Sequence, residues 1–277
     1  MCVSAAPLPR TVATALATIA RRAGVWQTDY LQLEHAHMNG PSTSQIIEIL
    51  AGESPEFHRG RDGSARSFVA SKAILEFINA HVRKGSTSVE TGAGASTVVF
   101  AAAGAHHTTI APYPEEFERV KAFCEAHAIT TADIRFVPES SESALPKLDI
   151  DNLDFVFIDG SHSFPSPFID WYYTAFKLKV GGIVVVDDLQ LWTGTVLKQF
   201  LDAEPEWELI EVFAGRSAAF VKRQPVTELK NWMDQPFVAR KSRAGRYLLM
   251  SRQATELIRQ GDARTLARKV AKKARTV

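Results

Sequence analysis

Hydrophobic runs that suit strands alternate with helical stripes through the middle of the chain. Strands are predicted at 87–91, 107–111, 133–137, 154–158 and 182–187, and the helices between them at 96–103, 114–127, 141–147 and 166–178. Such alternation is typical of right-handed βαβ units, which build a parallel sheet with helices on both faces. The later runs 207–213 and 217–221 follow a helix at 195–203 and predict an antiparallel hairpin at the sheet edge. We therefore expect a doubly wound α/β sheet of seven strands that is mostly parallel.

The segments on either side of this alternation have helical patterns. On the N-terminal side we predict helices at 11–23 and 43–51, the second ending at Gly52, and a third from Phe68 to near Gly85. The intervening loop 52–67 is rich in proline, glycine and charge, so we expect it to be mobile and able to cover a site. These limits divide the chain into an N-terminal helical cover (1–85), the α/β domain (86–223) and a C-terminal helical extension (224–277).

A glycine turn follows the first predicted strand. Gly92 and Gly94 permit positive φ and the close approach of a ligand, while Ser96 or Thr97 can cap a helix whose free N–H groups face that ligand. The turn predicts a nucleotide-like cofactor, with a purely structural turn as the alternative. NAD is disfavoured, because Thr97 replaces the third glycine of the dinucleotide fingerprint and Ala111 cannot supply its ribose-binding acid.

Three carboxylates end two later strands. Asp159 follows one strand, and Asp187 with Asp188 follows the next, so all three are expected at the ligand-binding edge of the sheet. They would repel each other strongly unless a cation lay among them, and Mg²⁺ takes oxygen ligands of this kind. We predict a divalent metal site here. The alternative is that these residues only cap helices and bind loop backbone.

His162 lies three residues beyond Asp159, in the mouth of the same predicted cleft. A hydroxyl nucleophile loses its proton as it attacks, and an imidazole has a suitable ordinary pKa, so His162 is a candidate general base; a structural histidine is the alternative. The helical spacing of the nearby aromatic residues predicts mostly core positions for Phe164, Phe168, Trp171, Tyr172 and Tyr173. Trp192 is a candidate wall of an acceptor site. His35 and His37 have metal-like spacing but no other ligands nearby, so we do not favour a metal site there.

Composition narrows the class of protein. The chain has 277 residues and only two cysteines, Cys2 and Cys124, which favours a reducing compartment without a disulfide framework. Cys124 is expected to be buried. No run is long enough to span a membrane, and the apolar segment 11–20 lacks a signal-peptide cleavage site.

Charge is distributed unevenly along the chain. Residues 222–277 contain 15 Lys/Arg and 4 Asp/Glu, a net +11, so residues 1–221 carry −10 of the overall +1. From Asp262, a plausible N-cap, the residues follow a helical rhythm with basic side chains on several faces, which predicts a basic amphipathic helix. Contact with an anionic membrane is one interpretation, and a solvated helix or a dimer contact is the other.

With the glycine turn, the run Phe157-Ile-Asp159-Gly-Ser-His162 and the strand end Val186-Asp187-Asp188 in view, residues 86–223 resemble the class I S-adenosylmethionine (SAM)-dependent methyltransferases. The resemblance is closer to their metal-dependent O-methyltransferase branch, which includes catechol and macrolide-sugar enzymes. It implies that the methionine part of SAM lies along Glu90, Gly92 and Gly94, and the adenine by Ser140 or Ser141. The full implied cofactor-binding set is Glu90, Thr91, Gly92, Ala93, Gly94, Ser96, Thr97, Tyr113, Ser140, Ser141, Asp159 and Gly160.

One feature of that class is missing. Its second strand usually ends in an acid that binds the ribose hydroxyls, whereas Thr109–Tyr113 offers none and Glu115 is the nearest carboxylate.

We therefore predict a SAM-dependent O-methyltransferase assisted by Mg²⁺ or another divalent cation at Asp159, Asp187 and Asp188, with His162 and Asp159 as catalytic residues. The expected acceptor is a sugar hydroxyl on a glycan or glycosylated small molecule, with a phenol or catechol second. The rival from another class is a non-catalytic protein of this fold that binds nucleic acid or membrane through its tail. We expect a cytoplasmic protein, peripheral to the inner membrane face or homo-oligomeric, and do not favour nucleic acid as its partner.

Overall fold

A computed structural model of the chain describes residues 40–60, 62–66 and 70–274. Within them lies a seven-stranded sheet. Its strands are β3 (Thr87–Thr91), β4 (His106–Ile110), β5 (Ile134–Val137), β6 (Leu153–Ile158), β7 (Leu178–Val186), β8 (Trp207–Phe213) and β9 (Ser217–Lys222). They lie in the order β5-β4-β3-β6-β7-β9-β8. The first five pair in parallel, and β8 and β9 form an antiparallel hairpin beside β7. The predicted doubly wound α/β fold with a closing hairpin is confirmed.

The helices cover both faces of this sheet and continue beyond it. They are α1 (Thr43–Glu53), α2 (Lys72–His81), α3 (Ala95–Ala102), α4 (Pro114–Ala126), α5 (Ser141–Ala144), α6 (Ser166–Ala175), α7 (Trp192–Leu201), α8 (Pro236–Arg259) and α9 (Ala263–Ala274). A short 3₁₀ turn at Leu145–Lys147 follows α5. The two-residue strands β1 (His58–Arg59) and β2 (Ala65–Arg66) form a small hairpin between α1 and α2.

Alternation along the central strand β6 divides the core into two layers. Phe155 and Phe157 pack on one face of the sheet with residues of α1 to α4, and Val156 and Ile158 pack on the other with residues of α7 and β9. All four side chains are almost completely buried. Apolar residues on both faces are what a sheet covered by helices requires.

Several predicted boundaries move. Helix α1 runs past Gly52 to Glu53, because a left-handed Ser54 closes it; its start is fixed by a capping box between Ser42 and Gln45. Helix α2 begins after the N-cap Ser71 and ends at His81, four residues before the predicted Gly85. The predicted helix at 11–23 and the residues Cys2, His35, His37 and Phe68 lie outside the described residues.

Strand β7 and its neighbours also differ from prediction. The predicted helix 166–178 ends at Ala175, and β7 begins at Leu178 instead of residue 182, because Leu178 already pairs with Leu153 of β6. The helix predicted from residue 195 begins at Trp192. Cys124 is buried as predicted, and burial raises the pKa of its thiol to about 11.

The carboxyl ends of the parallel strands lie side by side. Thr91 is paired with Ile110 on one side and with Ile158 on the other, and Ile158 is paired with Val186. The residues that follow these ends, among them Gly92, Asp159 and Asp187, therefore lie along one edge of the sheet. Ligands of open α/β sheets bind beyond this edge.

The C-terminal extension is helical, as predicted. Helix α9 begins after Asp262, whose side chain accepts the Thr265 amide at 3.0 Å. Helix α8 spans 24 residues and has no buried residue. None of the helices in the described part of the chain combines the length and apolar character that crossing a bilayer needs.

Candidate functional site

A cleft of about 840 Å³ opens at the carboxyl edge of the sheet. Its lining comes from the ends of β3, β4, β6 and β7, from the first turns of α4 and α5, and from the β8–β9 turn. The residues that line it are His58, Thr91, Gly92, Ile110, Ala111, Pro112, Tyr113, Glu116, Ser140, Ser141, Glu142, Asp159, Gly160, Ser161, His162, Ser163, Ser166, Asp188, Gln190 and Arg216. This volume is in the range of small-molecule and cofactor sites.

The glycine turn forms one side of the cleft. Gly92 has the predicted positive φ, +101°, and a β-carbon there would lie 2.5 Å from the carbonyl oxygen of Asp159. Its N–H donates to Ile110 at 2.8 Å, and its carbonyl accepts the Thr109 hydroxyl at 2.7 Å. Gly94 is extended at φ 168°, so positive φ is not needed there. The turn is therefore held rigidly against the end of β6.

Glu90 anchors this turn from behind. Its carboxylate accepts hydrogen bonds from Ser96 Oγ, at 2.6 Å, and from the Thr97 hydroxyl. It also lies 3.1 Å from Nε2 of the buried His107. Thr97 Oγ1 also accepts the Gly94 amide at 2.9 Å, so it closes the start of α3 as a cap does, whereas Ser96 only binds Glu90. Glu90 has no exposed surface and does not line the cleft. Its direct contact with a cofactor stays a prediction.

The acid of α4 that lines the cleft is Glu116, one residue beyond the predicted Glu115. Glu115 is exposed, whereas Glu116 is buried in the first turn of α4 and lines the cleft. Nδ1 of His58 lies 2.9 Å from Glu116 Oε1. The predicted cover loop thus brings a side chain to the site, through His58.

Asp159, His162 and Asp188 lie together at the opposite side. Each offers a ligand atom, and these atoms lie within 4.8 Å of one another. Burial, and then the charges of Asp187, Asp188 and Glu90, raise the pKa of Asp159 well above its ordinary value. The hydrogen bond from His162, with Nε2 2.7 Å from Asp188 Oδ2, lowers the pKa of Asp188.

Helix α7 holds this cluster in place through two contacts. Thr193 at the start of α7 donates to the carbonyl of His162 at 2.8 Å. A β-carbon on Gly194 would lie 2.6 Å from the carbonyl oxygen of Asp188, so α7 packs directly on the strand end. The positions of His162 and Asp188 therefore depend on α7.

Asp187, a predicted metal ligand, is not part of the group formed by Asp159, His162 and Asp188. It is almost completely buried, accepts the Ser217 hydroxyl, and lies 3.7 Å from Arg216 Nε. Arg216 Nη2 also lies 3.3 Å from Asp188 Oδ1. The guanidinium thus offsets part of the negative charge at this edge. Sequence reasoning missed Arg216, because only the strand order shows that the β8–β9 turn lies beside the end of β7.

A further buried acid, Asp170, lies beneath the cleft. Asp170 of α6 has no exposed surface, and neither its carboxylate oxygens nor the Thr91 hydroxyl has a hydrogen-bond partner among the described residues. Burial raises the pKa of Asp170 to about 6, and the nearby hydroxyls of Ser141 and Thr91 lower it less.

The aromatic residues divide between core and surface. Phe168, Trp171 and Tyr173 pack against the core as predicted, but Tyr172 is exposed, and so is Phe164, which precedes α6. Its ring lies 6.2 Å from the exposed ring of Trp192, just outside the cleft lining. The two rings form an aromatic edge next to His162.

The structure brings nine of the fifteen predicted site residues together in the cleft lining and leaves six outside it. Those in the lining are Thr91, Gly92, Tyr113, Ser140, Ser141, Asp159, Gly160, His162 and Asp188. Glu90, Ala93, Gly94, Ser96 and Thr97 lie behind the turn or in the helix that follows it, and Asp187 lies beside the acid cluster. Sequence reasoning missed His58, Glu116 and Arg216, since they lie in a two-residue strand, a helix and a turn with no recognisable motif.

Comparison with known families gives one match. Residues 89–189, about a third of the chain, match a family model described as a methyltransferase domain. This segment contains the glycine turn and all three strand-end aspartates. A comparison with curated proteins finds no significant relative.

Several solved structures share the fold. The O-methyltransferase TomG from Streptomyces achromogenes, solved with SAM, has a TM-score of 0.52 at 14% identity, over 70% of this chain and 96% of its own. A putative caffeoyl-CoA O-methyltransferase from Staphylococcus aureus has a TM-score of 0.50 at 16% identity, over 70% and 98%. A cofactor-bound protein from MTB has a TM-score of 0.51 at 16% identity, over 65% and 90%. The chain thus has the Rossmann-like fold of the SAM-dependent methyltransferases.

Proposed function

We propose that this protein is a SAM-dependent methyltransferase that methylates a hydroxyl group. One observation carries the proposal: a single cleft joins the Gly92 turn to the cluster of Asp159, His162 and Asp188. The family match over this segment and the two O-methyltransferases of the same fold support it. A cofactor at the turn would place its methyl group towards a hydroxyl at the cluster.

The cluster has the groups that this reaction needs. The acceptor oxygen would form a bond to the methyl carbon of SAM as the carbon–sulfur bond breaks. The electron pair of the broken bond would stay on sulfur, which leaves S-adenosylhomocysteine, and the hydroxyl proton would pass to a base. We assign that proton to His162, since the lowered pKa of Asp188 keeps a carboxylate beside the imidazolium that forms. Holding both reactants in line supplies much of the remaining rate acceleration.

A divalent cation fits beside this base. The carboxylates of Asp159 and Asp188 are oxygen ligands of the kind Mg²⁺ prefers, and Asp159 is half-buried beside the like charges of Asp187 and Asp188. A bound cation would acidify a coordinated hydroxyl and orient it. His162 remains the base in this proposal, and Asp187 stays with Ser217 and Arg216.

For the acceptor we propose a sugar hydroxyl, with a phenol or catechol as the alternative. The exposed rings of Phe164, Trp192 and Tyr113 near the cleft suit a flat or ring-shaped acceptor. Methyl transfer to sugar and phenol panels, followed as S-adenosylhomocysteine release, separates the two.

Calorimetric titration with SAM tests the cofactor directly. We expect 1:1 binding, and about tenfold weaker binding in Glu116→Gln, because its carboxylate lines the cleft where ribose hydroxyls would need an acceptor. Glu115→Gln is the matched control and should bind as the wild type does, since Glu115 is exposed. Absence of any SAM binding by the folded wild-type protein would reject the proposed function.

A further inference from the structure

The edge strand of the sheet is open on both faces. Strand β8 exposes every residue between its buried ends Trp207 and Phe213, including Leu209, Ile210 and Val212 at about 40% each. It also carries two acids, Glu208 and Glu211, and no basic residue. Glu208 pairs with Arg223, whereas Glu211 has no ion pair among the described residues. An apolar edge strand of this kind is a ready surface for association.

Helix α8 carries the opposite charge and is equally uncovered. Among the described residues, its first turn contacts the body of the protein: the amide of Phe237 donates to Glu204 at 3.1 Å, and the ring of Phe237 packs 6.0 Å from that of Phe200. Arg246 also lies 5.0 Å from the ring of Trp232, in the segment that precedes the helix. Farther along, Leu248, Leu249 and Ile258 are 54%, 57% and 66% exposed. Its charged residues are six basic side chains and one acid, Glu256.

We propose that the protein forms a reciprocal dimer in which α8 of one protomer covers β8 of the other. Both surfaces expose large apolar side chains, and their charges are complementary, as are the +11 of residues 222–277 and the −10 of residues 1–221. Each protomer carries one copy of each surface, so a two-fold arrangement satisfies both and closes the assembly.

An anionic membrane fits α8 less well. A helix that lies on lipid needs its apolar residues on one face. Leu248 and Leu249 point about 100° apart around the helix, and Ile258 lies about 80° away on the other side of Leu248. Such a distribution suits burial among protein elements on several sides.

Charge reversal tests the dimer. We would prepare Glu211→Lys as one chain and the double change Arg240→Glu with Arg243→Glu as another; all three side chains are exposed. Alone, each chain opposes like charges in its own dimer, so sedimentation equilibrium at low salt should give a dimer dissociation constant raised tenfold or more over wild type. Mixed together, the two chains restore opposite charges at both contacts and should form a heterodimer of wild-type affinity.

The control is Glu125→Lys, an exposed acid of α4 far along the chain from β8, which should leave the dissociation constant unchanged. A wild-type protein that stays monomeric up to about 100 μM would overturn the dimer, as would charge-reversed chains that do not associate on mixing. Monomeric protein that co-sediments with phosphatidylserine vesicles would assign the tail to a membrane instead.

Discussion

At the scale of single residues, the proposed chemistry depends on the pairing of His162 with Asp188. Replacing His162 by Ala should lower turnover about 10²–10⁴-fold and flatten the acidic limb of the pH–rate profile, because the proton acceptor is lost.

Excess EDTA should abolish wild-type activity, and Mg²⁺ should restore it. Metal affinity should survive in His162→Ala, as the proposed ligands are Asp159 and Asp188.

Steady-state rates across pH, with and without EDTA, check both parts. Full activity in EDTA would remove the cation from the mechanism, and an unchanged pH profile in His162→Ala would move the base elsewhere. The neighbouring Ser163→Ala, a change in the same loop, is the control for general disturbance of the cleft.

Asp170 permits a prediction about stability. Its pKa in the folded protein is raised from 3.8 to about 6, so the folded state binds the proton more tightly than the unfolded state does. Stability should therefore fall as pH rises from about 4 to 6 and then level off. Asp170→Asn has no such carboxyl group and should not show this loss. Relative to wild type, the free energy of unfolding of the variant should therefore be up to about 3 kcal/mol higher at pH 7 than it is at pH 4.

Urea unfolding at four pH values measures this difference, with the exposed Asp149→Asn as control. A difference between Asp170→Asn and wild type that does not vary with pH would show that the carboxyl group is not perturbed as described.

The sequence predicts residues that follow strand ends and misses those that arrive from elsewhere. Asp159 and Asp188 were found because each ends a buried run, and parallel strands end at one edge. Arg216 reaches the same edge only because β9 inserts between β7 and β8, which no local pattern reveals. The same holds for the two acids in the first turn of α4. Which of them faces the cleft, Glu115 or Glu116, depends on the residue at which the helix begins.

At the scale of elements, the β3–α3 turn distinguishes its two glycines. Gly92→Ala should cost at least about 2 kcal/mol, since φ is +101° and the added carbon would meet the Asp159 backbone at 2.5 Å. Gly94→Ala should cost much less, because its φ of 168° suits any residue and the carbon meets the His58 ring at 3.2 Å, which can move. Chemical denaturation of both variants checks the contrast, and equal costs would contradict it.

Element types were more predictable than their limits. Alternation of apolar runs is enough to predict the sheet and its closing hairpin, because those runs are buried on both faces. Boundaries such as Ser54 and Leu178 depend on a left-handed cap and on pairing with β6, which are tertiary or local geometric effects. The small β1–β2 hairpin that brings His58 to the cleft is too short to give a periodic signal.

At the scale of the whole molecule, the tail should be separable from the folded body. A chain that ends at residue 242 keeps the contacts of Phe237 with Glu204 and Phe200 and the ion pair of Lys230 with Glu206. It loses α9, a mostly exposed part of α8 and the contact of Arg246 with the exposed ring of Trp232. Removing exposed residues changes stability by about 0.5 kcal/mol or less, so the thermal midpoint of the dilute protein should move by about 2 °C or less, with SAM affinity unchanged. At high protein concentration the full chain should gain stability that the truncated chain does not, because only the full chain carries the whole of the proposed dimer surface on α8. Scanning calorimetry over a hundredfold range of concentration measures both effects, and a large drop in midpoint at the lowest concentration would instead place the tail on its own body.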